Sequence, residues 1–137
     1  MQKHVIFYTL VLFFIGCSCI PPESKNHIEE FKERFTNVRS VTGLDAPDSC
    51  LYVQLVESET FMCGNVNTDG CFSDKWPNCP TIRISIHAVE TSAVEHEYLH
   101  YLFNMNGQDD PDHTWRTDFS KLEYKAYGIY QETRKAF

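Results

Sequence analysis

The chain has 137 residues and a net charge of −7, with 42% hydrophobic and 23% charged residues. That length bounds one domain after N-terminal processing, and the composition is that of a globular rather than a disordered chain. An acidic chain without a basic run repels a phosphate backbone, so nucleic acid is excluded as an expected partner.

Lys3 and His4 open the chain, and Val5 to Ile15 is an almost unbroken apolar run. It is too short for a spanning helix of roughly 20 residues, but its length suits the core of a signal peptide. The run closes on Phe14-Ile15-Gly16-Cys17. This resembles the lipobox of bacterial lipoproteins, with Phe14 where leucine is usual. The resemblance implies a signal peptide of lipoprotein type over residues 1–16. It also implies lipid on Cys17 and anchorage to the membrane of the bacterial cell envelope through that lipid. An ordinary secretory signal, giving a secreted protein, and an uncleaved anchor are the alternatives. Residues 17–26 are polar around Pro21-Pro22 and read as a tether, leaving residues 27–137 as the domain.

Export makes Cys50, Cys63, Cys71 and Cys79 candidates for two disulfides. Three pairings are possible, and Cys50–Cys63 with Cys71–Cys79 is the preferred one, since both close short local loops. A structural zinc site is the poorer reading, since no Cys-x-x-Cys pair occurs.

Ile28, Phe31, Phe35 and Val38 repeat at helical spacing, with Glu29, Glu30, Lys32, Glu33 and Arg34 on the other face. Pro47 and its polar neighbours mark a loop. Leu51 to Val56 reads as a strand, paired through the turn Glu57-Ser58-Glu59 with a second strand over Thr60 to Val66. Asn67 to Pro80 is rich in turn residues and reads as a loop. Thr81 to His87 alternates as a half-buried strand, Ile82, Ile84 and Ile86 against Arg83 and Ser85. Ser92 and Glu95 have the spacing of a capping box and Gly107 supplies a stop, which predicts a helix over about Ala93 to Asn106. Its buried stripe is Ala93, Leu99, Leu102 and Phe103. A last helix spans about Phe119 to Lys135. Strands grouped between helices make an α+β domain.

The helix at Ala93 contains His96-Glu97-Tyr98-Leu99-His100. Residues four apart lie one turn apart on one helix face, so the two imidazoles can hold one zinc ion. Glu97 projects beside them and can reach a water without ligating the metal. The plain alternative is a solvated helix face with ordinary histidine contacts.

A catalytic zinc takes a third protein ligand and leaves one position open. The sequence resembles the zincin metallopeptidases at this motif. Metzincins extend it with a glycine and a third histidine, but the corresponding positions are Phe103 and Asn106, which removes that branch. Gluzincins use a glutamate from a later helix, for which Glu123 is a possible equivalent. Gly107 to His113 can instead return His113 to the metal. The combination of this segment with Trp115 and Gly70-Cys71-Phe72 resembles a group of small bacterial zincin-like proteins, often lipoproteins, over about Cys63 to Trp115. It implies a minimal zincin-like domain, with a small, mainly antiparallel sheet packed on the motif helix and flanked by N- and C-terminal helices. The expected metal ligands are His96, His100 and His113, with Asp110, Asp112 and then Glu123 as substitutes for the last. Asp109, Asp110 and Asp112 are alternatively an acidic turn or a layer that orients the histidines.

The implied activity is hydrolysis of a peptide or protein substrate by zinc-activated water, with Glu97 as general base. Thr81 to His87 is the candidate edge strand for the substrate. His87, Arg116, Tyr124 and Tyr127 are candidate oxyanion donors, and Trp115 is expected in the core. The alternative is a non-catalytic, disulfide-stabilised surface lipoprotein whose zinc is structural and which acts as a binding module.

Overall fold

The computed structural model describes residues 28–47, 51–74, 80–109 and 111–137. The expected signal peptide and tether lie outside them, as do Cys17, Cys50, Cys79 and Asp110. Three helices, α1 (Ile28–Thr42), α2 (Ala93–Met105) and α3 (Phe119–Lys135), pack with five short strands in an α+β fold. The strands are β1 (Tyr52–Val56), β2 (Phe61–Cys63), β3 (Val66–Thr68), β4 (Gly70–Ser73) and β5 (Thr81–Ser85). No described helix is long and apolar enough to cross a membrane.

The main sheet has the order β1-β5-β4. β1 runs parallel to β5, placing Val53 beside Ile82 and Leu55 beside Ile84. β4 runs antiparallel to β5, with Phe72 opposite Ile82. The expected hairpin of Leu51–Val56 with Thr60–Val66 does not form. β1 goes to β5, where its apolar face meets two fully buried isoleucines. β2 instead turns back on β3 within the stretch expected to be loop. Gly64 has φ +59° at the first of the two turn residues, where a type II′ hairpin requires it. The Gly64-Asn65 pair carries that signal in the sequence.

β5 is the central strand, not an edge. It ends at Ser85. Ile86 starts a short 3-10 turn and is 43% exposed, so it does not join Ile82 and Ile84. Thr81 and Ser85 are buried, because the second face of the sheet is covered as well. Arg83 reaches over that face to the Met62 carbonyl, and its guanidinium lies 5.0 Å from the Phe61 ring centre. Cys63 and Cys71 form a disulfide, with Cα atoms 5.9 Å apart. This overturns the pairing of Cys63 with Cys50 and of Cys71 with Cys79. The bond joins the end of β2 to β4, so the β2–β3 hairpin is stapled to the sheet edge.

Helix α2 occupies the middle of the fold, touching α1, α3, β4 and β5. Its burial is far wider than one stripe: Val94, Tyr98, Leu99, Tyr101, Leu102 and Phe103 are all buried. Each such side chain contributes on the order of 1.5–3 kcal/mol by leaving water. The helix stops at Gly107, φ +67°. There the Gln108 N–H bonds the Phe103 carbonyl and the Gly107 N–H bonds the Asn104 carbonyl, a Schellman closure. Its start departs from the expected capping box. Ser92 makes no cap bond, and the Ala93 N–H is met by the Thr91 hydroxyl. Ser92 and Glu95 are both engaged elsewhere.

Glu95 is bound by Arg34 of α1. Arg34 Nε and Nη2 donate to the two carboxylate oxygens at 2.7 and 2.6 Å. The same guanidinium donates to the carbonyls of Val89 and Thr91, and Tyr130 of α3 lies beneath it at 4.1 Å. Arg34 is therefore fully buried, not on the solvated face where its helical position puts it. Burial raises the Glu95 pKa, and the bond and charge of Arg34 oppose this. Removing one partner of such a pair strands a charge in the core. Arg34→Ala is expected to destabilise the fold by about 3–5 kcal/mol. Urea unfolding measures this, and an unchanged midpoint contradicts it.

Candidate metal centre

His96 and His100 project from one face of α2, and the loop after Gly107 brings His113 to them. Their ring centres are 5.0 Å apart for His96 and His100, 5.0 Å for His96 and His113, and 4.9 Å for His100 and His113. One nitrogen from each ring lies within 4.8 Å of the others, so the three histidines are placed to share a metal ion. His113 adopts φ +55°, a left-handed conformation that a non-glycine residue rarely takes.

The outer layer fixes which nitrogen faces the centre. His96 Nδ1 pairs with Glu123 at 2.9 Å, and His100 Nδ1 pairs with Asp109 at 2.9 Å. A carboxylate on Nδ1 holds the proton there and leaves Nε2 as the metal-facing lone pair. The donor set thus fits a cation that takes neutral imidazoles. Glu123 is held in turn by the Ser92 hydroxyl at 2.6 Å, which explains the missing cap. Glu123 is consequently placed to orient His96 rather than to stand in for His113. Asp109 has the orienting position anticipated for the acidic turn. Asp112 is exposed and outside the histidine cluster.

Phe119, the first residue of α3, forms the floor. Its ring centre is 4.9, 4.8 and 4.4 Å from those of His96, His100 and His113. In the sequence it reads only as one apolar residue of a helix stripe. Nothing local marks it as the surface on which three histidines rest.

Glu97 turns to the other side, toward β4. It is buried, with 6% exposure, and accepts a hydrogen bond from the Phe72 backbone N–H. Burial pushes its pKa up to about 7, against the opposing charges of His96 and His100. Burial also disfavours a charged His96, yet the Glu123 bond and the charges of Glu97, Glu123 and Asp69 outweigh it and raise that pKa. For Glu123, burial raises the pKa, but the bonds from His96 and Ser92 outweigh it and set it below the usual value.

Gly70 makes this seat possible. A Cβ there would sit 2.8 Å from Glu97 Oε1 and 3.2 Å from its Cγ. The Gly70-Cys71-Phe72 element therefore supplies space, a disulfide half and an N–H donor to one carboxylate. The cleft around Glu97 and the histidines has a volume of about 380 Å³, with Val66 and Thr68 of β3 on its hairpin wall.

None of the four oxyanion candidates lines this cleft as described. The Tyr127 hydroxyl donates to the Glu90 carbonyl. Arg116 lies 3.6 Å over the Phe103 ring and pairs with Asp118. Trp115 is 59% exposed rather than in the core, because the loop that presents His113 holds it outside the helix packing.

Comparison with protein-family models, with characterised proteins and with solved structures finds no match for this chain.

If the two carboxylates set ring orientation, Glu123→Ala and Asp109→Ala should each lower metal affinity about 10–100-fold. Competition against a chromophoric chelator measures this, and parent-like affinity in both variants rules the orienting role out.

Proposed function

We propose that this protein is an exported zinc-dependent peptidase of the zincin kind, held at the bacterial cell envelope by lipid on Cys17. The observation that carries the reading is the position of Glu97. A carboxylate is buried beside three clustered histidines, held by a backbone N–H and accommodated by a glycine, yet it is not among the clustered ligands. Metal retention alone requires no such group.

Zinc suits three imidazoles, and when bound it acidifies water and polarises a carbonyl. His96, His100 and His113 would hold the ion. Glu97 takes a proton from the attacking water and returns it to the leaving amine. The Phe72 N–H and the contact with Gly70 keep that carboxylate in one orientation between the two transfers. Phe119 excludes water from beneath the rings. β4, rather than β5, is the strand along which an extended peptide lies, because β4 is the edge next to Glu97.

A structural zinc site is closed by four protein ligands. Among the described residues only three cluster, and the two carboxylates that bond the rings, Glu123 and Asp109, are engaged at Nδ1 of His96 and His100. This favours an open coordination position over the binding-module alternative.

Glu97→Gln should retain zinc and lose peptide hydrolysis by two orders of magnitude or more, in line with the usual contribution of a general base of about 10²–10⁴. His113→Ala should lose stoichiometric zinc. Metal analysis and a peptide-cleavage assay read the two effects. Hydrolysis by Glu97→Gln at the parent rate overturns the catalytic reading, and tight zinc binding by His113→Ala overturns the ligand set. Gly70→Ala should retain zinc but lower cleavage, through displacement of Glu97 alone. Parent-like cleavage by that variant contradicts the seat.

A further inference from the structure

The cleft at the histidines continues on one side into a second hollow of about 530 Å³, sharing Cys63, Cys71, Phe72, Asp109 and Pro111 with it. The hollow follows β4 from the metal centre toward Ser73 and Asp74. On the helix side it is lined by Asn104. Asn104 stands four residues after His100 and eight after His96, so it continues the same helix face, about 6 Å further along the axis. It is half-buried, and no described residue hydrogen-bonds its carboxamide. By contrast Asn106, two residues on, donates to the carbonyls of Asp45 and Leu102. Asn104 thus offers a donor and an acceptor at the hollow, with neither engaged by a described residue.

Resting on the peptidase reading above, we propose that Asn104 is a substrate-binding residue that selects an uncharged hydrogen-bonding side chain (Asn, Gln, Ser or Thr) in an extended peptide lying along β4. An extended chain advances about 3.3 Å per residue, so the residue read lies about two positions from the scissile bond. Arg83, Asp74 and Asp109 line the same hollow, but Arg83 bonds the Met62 carbonyl and Asp109 pairs with His100, so the choice of an uncharged side chain rests on the Asn104 amide itself. An apolar side chain would cover the Asn104 amide without giving it a partner, which disfavours it. Phe72 and the Cys63–Cys71 disulfide form the wall against which the stem of the side chain packs.

The test uses the full chain, zinc-loaded, as the Glu97→Gln variant, which retains peptides without cleaving them. It is presented with peptides randomised one position at a time, and binding is measured. We expect a preference for Asn, Gln, Ser or Thr at one position. Adding Asn104→Leu should erase it and weaken those peptides about tenfold to a hundredfold, with zinc content and melting temperature unchanged. Adding Asn104→Asp should move the preference to Lys or Arg at that same position, a gain that misfolding cannot mimic. If both variants keep the original profile, the assignment of Asn104 is overturned, and cleavage by the parent chain then leaves the peptidase reading standing. If no variant binds peptide and the parent cleaves none, both readings fall together.

Discussion

Everything at the metal centre is referred to one buried ion pair. Arg34 and Glu95 meet in a fork between α1 and the first turn of α2, one residue before His96. Two desolvated charges are costly, and this arrangement is tolerable only because the remaining donors of Arg34 are also satisfied, by the Val89 and Thr91 carbonyls. Those carbonyls belong to the segment that leads into α2. The guanidinium therefore fixes the rotation of the helix and the path of the chain entering it. The Tyr130 ring below it, whose hydroxyl bonds Glu30, adds α3 to the same knot. A leucine pair would bury comparable area without specifying the angle at which His96 leaves the helix.

Around that anchor the site divides by origin. The groups that touch the centre from α2 sit on a motif of five residues, whereas the groups that aim them come from elsewhere. Glu123 and Phe119 arrive on α3, Asp109 just past the end of α2, and Gly70 and Phe72 on the sheet edge. The site is thereby pre-formed by packing and hydrogen bonding, with the Glu97 carboxylate held from the sheet edge and the histidine rings from α3 and the loop after α2.

The parts of this arrangement that were legible in the sequence are those encoded by local period. Phe31, Phe35 and Val38 report α1 through their spacing. α3 has the predicted ends, and the stop at Gly107 follows from the backbone freedom of glycine. His96, Glu97, His100 and His113 come together as expected, because helix period and a short return loop are both local rules. Long-range partners were not legible. Arg34 looks like a surface residue until Glu95 arrives, 61 positions away. Ser92 and Glu95 look like a capping box because their rivals, Glu123 and Arg34, are distant in the chain. Strand pairing failed for the same reason: proximity favours β1 with β2, whereas the apolar faces favour β1 with β5. The disulfide was not legible because Cys63–Cys71 and Cys71–Cys79 close loops of equal length, so length alone does not choose between them.

The left-handed backbone of His113 has a mechanical consequence. Two of the clustered rings ride on a rigid helix, while the third lies in the loop between α2 and α3 and holds an unfavourable dihedral at His113 itself. A cation bound by all three rings closes that loop as a clasp, and its binding energy offsets the cost of the dihedral, of order 1–3 kcal/mol. Loss of the ion would leave α2 intact and release the clasp. Proteolytic nicking and amide exchange in the loop, rather than helix content, are where occupancy of the centre would be felt.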